Sequence, residues 1–179
     1  MLQIQKLLGL PVLTMKGTKA GTVKDFWFDE FWSVSGIVLD KRSWGRKAYK
    51  AVRWKDIAVC GEDALIIRDK KAVVTIDKSQ FLRGFLGGAV RLKDIPVYTV
   101  EGQELGRVSD VYFKETEGTP VIGCELTDGF LTDVLEGRRR LLMPDGLGQV
   151  TMGENAILVP ASYERVLAKD HFFDSESDR

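Results

Sequence analysis

The chain has 179 residues, with 26 Lys and Arg against 26 Asp and Glu, one His, two Cys and 44% apolar residues. That length suits one medium domain or two small ones. Its longest uncharged stretch is nine residues, against the roughly 20 apolar residues of a membrane-spanning helix, so no such helix is expected.

The N-terminus has no basic region followed by a long apolar core, which argues against a secretory signal. Cys60 and Cys124 are too few for a disulfide framework, and a reducing cytoplasm is the expected location. The sole histidine, His171, lies in an acidic tail, so His-based triads and multi-His metal sites are excluded.

In chain order, residues 10–15 are apolar and β-rich and lead to Gly17. Residues 21–29 follow as a second strand, the usual signal of a hairpin. Residues 34–40 and 50–54 read as further strands, and Ile57–Cys60 with residues 64–67 as a last hairpin turning on Gly-Glu-Asp. Residues 77–84 predict a short helix with Asp77 near its N-cap, and Gly84, Gly87 and Gly88 mark its end and a linker. The same order then returns in residues 95–100, 106–114, Val121–Thr127, 140–144, and 149–152 with 156–159. Residues 162–169 predict a C-terminal helix capped by Ser162, and the acidic residues 170–179 a frayed tail.

That return is an internal duplication. Shifting the chain by 85 aligns residues 7–29 with 92–114, and nine of the 23 positions are identical, among them Pro11/Pro96, Gly17/Gly102, Gly21/Gly106 and Asp25/Asp110. Near the end of each copy, Gly61-Glu62-Asp63-Ala64-Leu65-Ile66-Ile67 meets Gly153-Glu154-Asn155-Ala156-Ile157-Leu158-Val159 at a shift of 92. The second copy therefore carries about seven extra residues, placed within 127–140. Within the second strand Val23, Phe26 and Phe28 match Val108, Val111 and Phe113. Their spacing of three, then two, breaks strict alternation, and a β-bulge near Asp25 and Asp110 restores one inward face. Trp27 and Tyr112 then point outward, as candidate inter-barrel or interface aromatics. Five or six short strands in about 70 residues predict an all-β fold of two small, bent antiparallel barrels in tandem. The expected organisation is a first barrel over 1–76, a linker with a short helix over 77–89, a second barrel over 90–169 and a tail over 170–179.

The residues Leu-Gly-Leu-Pro-Val, then Gly-x-x-x-Gly-x-Val-x-Asp-Phe, then Gly-Glu-Asp-Ala-Leu-Ile-Ile resemble a PRC-barrel domain, and the second copy repeats the pattern. The resemblance covers residues 5–68 and 90–160. The family takes its name from the cytoplasmic domain of the photosynthetic reaction-centre H subunit, and a related barrel ends the ribosome maturation factor RimM. What the resemblance implies is a bent barrel used as a docking module and not as an enzyme.

The glycine pairs do not lead into helices as a phosphate-binding loop would, and read as turn glycines. Asp25 and Asp110 lie in different copies without a His partner, and read as bulge carboxylates accepting backbone N–H bonds. Cys60 and Cys124 align with the apolar Met152 and Ile37, which predicts buried, unreactive thiols. No catalytic, metal or cofactor-binding residue is expected, and no cofactor.

Charge is more informative. Residues 1–75 carry a net +6 and residues 76–179 a net −6. Lys41, Arg42, Arg46, Lys47, Lys50, Arg53 and Lys55 fall together without an acid, interleaved by Trp44, Tyr49 and Trp54. Three readings fit: a solvated loop, a surface for an acidic protein partner, or a nucleic-acid or ribosome contact. The protein-partner reading places the docking residues at Arg42, Trp44, Arg46, Lys47 and Tyr49. Its counterpart in the second copy is replaced by residues 130–137.

Overall fold

Short β-rich runs separated by glycine and acidic turns fold as such runs must, into narrow curled sheets. A computed structural model of the chain describes residues 1–39, 48–115, 120–128, 139–142, 149–166 and 168–169. Two compact units result, one holding Leu2–Leu92 and Glu115–Pro120, the other Lys93–Lys114 and Val121–Arg179.

The first unit runs β1 (Leu2–Gln3), a single helical turn α1 (Ile4–Leu7), β2 (Pro11–Thr14), β3 (Lys19–Thr22), β4 (Asp25–Phe28), β5 (Val34–Val38), β6 (Ala48–Arg53), β7 (Ile57–Cys60), β8 (Leu65–Ile67), β9 (Val73–Asp77), β10 (Arg83–Gly84) and β11 (Val90–Arg91). Its ladders run β3-β2-β8-β7 and β11-β10-β4-β5-β6-β9. The second unit holds β12 (Pro96–Thr99), β13 (Glu104–Phe113), β14 (Val121–Thr127), β15 (Arg139–Leu142), β16 (Thr151–Met152), β17 (Ile157–Val159) and β18 (Ala168–Lys169) in the order β16-β17-β12-β13-β14-β15-β18.

The duplication holds down to the register. Val12 pairs with Leu65 and Val97 with Ile157, the one parallel contact that joins the first strand of each copy to its last hairpin. Phe26, Ile37 and Val52 lie side by side across the first sheet; Val111, Cys124 and Leu141 do so in the second. All six are buried. The expected bulge occurs between Val108 and Asp110. In the first copy the ladder instead breaks at Val23–Lys24, just before Asp25. Gly17 and Gly102 take positive φ of 73° and 90°, as the matched turns require. Gly21 has another reason: a Cβ there would lie 3.1 Å from Leu39.

Two helices expected from the sequence are absent. Residues 77–84 form a turn and then β10. The Asp77 carboxylate accepts the amides of Ser79 and Gln80, at 2.7 and 3.1 Å, and the Ser79 hydroxyl. Beyond that turn the backbone pairs Arg83 with Phe28 and Gly84 with Trp27, so sheet pairing overrides the local cap signal. Residues 161–166 form a 3-10 helix, and the following β18 pairs with β15, which claims the residues expected to continue a helix. The longest strand that lies where the sequence suggested none is β9; β1 and β11, of two residues each, are others.

Along β4 and β5 the sheet β4-β5-β6-β9 is buried on both faces. Its outer face carries Trp27, Val38, Ala51 and Ile76, and Phe81 lies across them with Tyr49 and Val74 at the side. Trp27 is 8% exposed and Tyr112 1%. Both take the outer side of their strands, as expected, but neither meets solvent: Phe81 packs over Trp27 in the first unit, and Tyr112 is bonded to Glu125 in the second.

Candidate docking surface

The sequence places basic and aromatic residues before and along β6, and strand alternation decides which side each takes. Tyr49 and Ala51 face the outer side with Trp27 and Phe81; Lys50 and Val52 face the other way. The Tyr49 ring meets Phe81 edge-on at 5.0 Å. Beside it opens a cleft of about 300 Å³ lined by Lys24, Asp25, Val38, Leu39, Tyr49, Phe81, Leu86, Gly87 and Gly88. Leu86 is 43% exposed and neighbouring Leu82 49%, so the cleft has an apolar rim. On the opposite face Lys50 lines a second hollow of about 290 Å³ with Lys19, Ala20, Lys70, Val73 and Thr75. One strand thus feeds two concavities, and its first residue directly follows the basic segment.

Of the expected docking residues, Tyr49 is placed at the first cleft. Arg42, Trp44, Arg46 and Lys47, and the insertion 130–137, lie outside the described residues. Trp54, one of the interleaved aromatics, turns to the core and meets the Phe26 ring at 6.3 Å. Sequence reasoning missed Lys19, Lys70, Thr75 and Leu86. The β-rich run Val73-Val74-Thr75-Ile76 was the available signal for the strand that gathers some of them.

Asp25 holds the cleft's floor in place. Its Oδ1 accepts the amides of Phe26 and Leu86, both at 2.8 Å, tying β4 to the covering segment across 61 residues. Burial raises its carboxyl above the usual 3.8, and backbone donors from Leu86, Phe26, Gly87 and Phe85 offset only part of that. Asp110 plays the local half of this role, accepting the Val111 amide at 2.8 Å. Backbone acceptance by both carboxylates agrees with the acceptor role read from the sequence, and Asp110 alone of the two lies at a bulge.

At the outer face of the second unit the register substitutes polar for apolar groups. Tyr112, Glu125 and Arg140 stand where Trp27, Val38 and Ala51 stand in the first. The Tyr112 hydroxyl donates to Glu125 at 2.9 Å and the Ser109 hydroxyl donates to the same carboxylate at 3.3 Å. The Arg140 guanidinium lies 5.8 Å from the Tyr112 ring centre. Burial, then Glu125, pushes the Tyr112 hydroxyl above the ordinary tyrosine range, so it serves as a hydrogen-bond donor. Hydrogen-bonded to one another, Tyr112, Ser109 and Glu125 can occupy a buried face.

Burial pushes the Cys124 thiol up to about 12, and burial with the Glu115 charge pushes half-buried Cys60 up to about 11. At pH 8 the thiolate fraction is then about 0.1% or less. The native protein is expected to resist thiol labelling at that pH and to react at both cysteines once denatured. Rapid stoichiometric labelling of the native chain at either position would contradict this. Among the described residues no cluster of His, Cys, Asp and Glu could hold a metal ion, and no helix is long and apolar enough to cross a membrane.

Two similar units of curled antiparallel sheet, each with a parallel contact between its first strand and last hairpin, define a tandem all-β protein. The PRC-barrel domain family model matches residues 1–80 and again 88–166, and the chain belongs to that family. It is 26% identical over 148 residues to the uncharacterized protein YrrD of Bacillus subtilis (strain 168), covering 82% of this chain and 81% of that one. These matches establish family and fold and assign neither reaction-centre nor ribosome association.

Proposed function

We propose that the chain is a non-enzymatic docking protein whose first unit binds a protein partner with an acidic surface. The observation that carries this reading is β6. It brings Tyr49 to an apolar-rimmed cleft immediately after the segment holding Arg42, Trp44, Arg46 and Lys47. Arg and aromatic side chains dominate binding hot spots, because they add directional bonds and area at low entropy cost. An apolar partner side chain entering beside Tyr49 and Leu86, with Lys24 at the cleft and the basic segment next to Tyr49 in sequence, fits that pattern. The rival is RNA or ribosome association through the same basic segment. Trp54 packs against Phe26 with part of its surface and so offers less area for base stacking, which favours a protein partner.

The test is the triple variant R42E/R46E/K47E, assayed for stability and for capture of an acidic partner from native extract. Exposed charges contribute little to folding, so stability should stay within about 0.5 kcal/mol. Capture should disappear, and in the wild type it should weaken with salt and survive RNase. Capture abolished by RNase would replace the protein partner by RNA. A folded triple variant that still holds the same partners would move the docking surface elsewhere.

A further inference from the structure

The second hollow carries a chemistry that the docking reading does not use. Lys19 comes from β3, Lys50 from β6 and Lys70 from the 3-10 turn before β9, so three separate elements deliver one ammonium group each. No acidic side chain among the described residues lines the hollow. Among the described residues none of these three lysines forms an ion pair. The nearest carboxylate in sequence, Asp69, accepts the Lys71 amide at 2.7 Å.

Lysines beside a sheet edge also discourage strand addition, and β9 ends its ladder. That role accounts for Lys70. It does not account for Lys19, which belongs to the other sheet of the unit and still lines the same hollow. Three like charges around a concavity repel one another and focus a positive potential, which a multivalent anion relieves. Lysine binds phosphate as a point charge without demanding fixed geometry. Thr75, which pairs with Lys50 across β6 and β9, adds a directional hydroxyl, and Val73 an apolar wall. At about 290 Å³ the hollow lies at the lower end of small-molecule sites, roughly 300–1,000 Å³. That is room for a phosphate group and a small substituent.

We propose that Lys19, Lys50, Lys70 and Thr75 form a binding site for a phosphate-ester oxyanion. The site is independent of the docking residues, so either assignment can fail alone.

Inorganic pyrophosphate titrated into the full chain at 0.15 M salt, followed by calorimetry and amide chemical shifts, tests it. Saturable one-to-one binding is expected, with shifts at residues 19–20, 50, 70 and 73–75. K19Q/K70Q should weaken it at least ten-fold. T75V, which keeps every charge, should weaken it several-fold. The triple docking variant should retain saturable binding with the same shifted residues, which separates this site from partner capture. Vesicles bearing phosphoinositide headgroups that compete pyrophosphate off indicate a lipid source, and vesicles that leave it bound indicate a soluble one. Non-saturating binding, an equal response to sulfate, or unchanged affinity in both K19Q/K70Q and T75V would overturn the site.

Discussion

Gly36→Ala is expected to destabilise the first unit by about 3 kcal/mol or more, the upper range for overpacking a core. Gly36 sits on β5 directly opposite Trp27. A Cβ there would fall 2.2 Å from the Val52 carbonyl and 2.4 Å from the Trp27 ring. Neither neighbour can retreat. The carbonyl belongs to β6, paired to β5 through Gly36 and Arg53, and Trp27 is held under Phe81. For a unit of this size each kcal/mol lowers the melting temperature by about 4–8 °C, so a fall on the order of 12 °C or more should be seen. The matched variant Gly123→Ala faces the Leu141 carbonyl at 2.6 Å and should destabilise the second unit in the same way. Hydrogen exchange resolved by residue checks that each loss maps to its own unit. A Gly36→Ala protein within about 1 kcal/mol of wild type would show that this sheet is not packed on both faces.

That two-sided packing is what the sequence left unread, and the reason is specific. Period-two reasoning sorts a strand's residues into two sides but does not say whether the second side meets water. Val23, Phe26 and Phe28 were enough to find the inner face, and all three are buried. The outer face is covered by Phe81 and the segment after it, which read locally as a capped helix and a glycine linker. Its non-local partners, Trp27 paired with Gly84 and Asp25 bonded to Leu86, are more than fifty residues away in sequence. Gly84, Gly87 and Gly88 were legible as breakers, but not as the close approaches to Phe81, Asp25 and the segment's own backbone that they make. The duplication was legible because each copy keeps its strand-pairing register, which preserves identities at turns and inward positions. The site was less legible. Composition marks the basic segment, yet Lys19, Lys50 and Lys70 meet only through sheet topology.

Asp25 is the point at which the covering segment is fastened, and replacing it should separate hydrogen bonding from charge. Asp25→Ala leaves the amides of Phe26 and Leu86 without their acceptor in a buried setting, a loss on the order of 2–4 kcal/mol. It also frees the floor of the Tyr49 cleft, so exposure of Trp27 should rise in step. Asp25→Asn keeps an acceptor oxygen for both amides and removes the charge, and should stay within about 1 kcal/mol of wild type at pH 7. The two variants also differ in their dependence on pH. The folded carboxyl holds its proton to higher pH than the unfolded one, because burial outweighs the backbone donors around it. Between the ordinary value near 3.8 and the raised one, the folded state therefore binds more protons than the unfolded state. Its contribution to stability falls as pH rises through that window and is constant above it. Asp25→Asn lacks this titration, so its stability relative to wild type should improve from pH 4 upward and then level off. Denaturant midpoints measured across that range decide the matter. A relative stability for Asp25→Asn that falls as pH rises would mean that the backbone donors outweigh burial and that the ionised carboxylate is the fastening group.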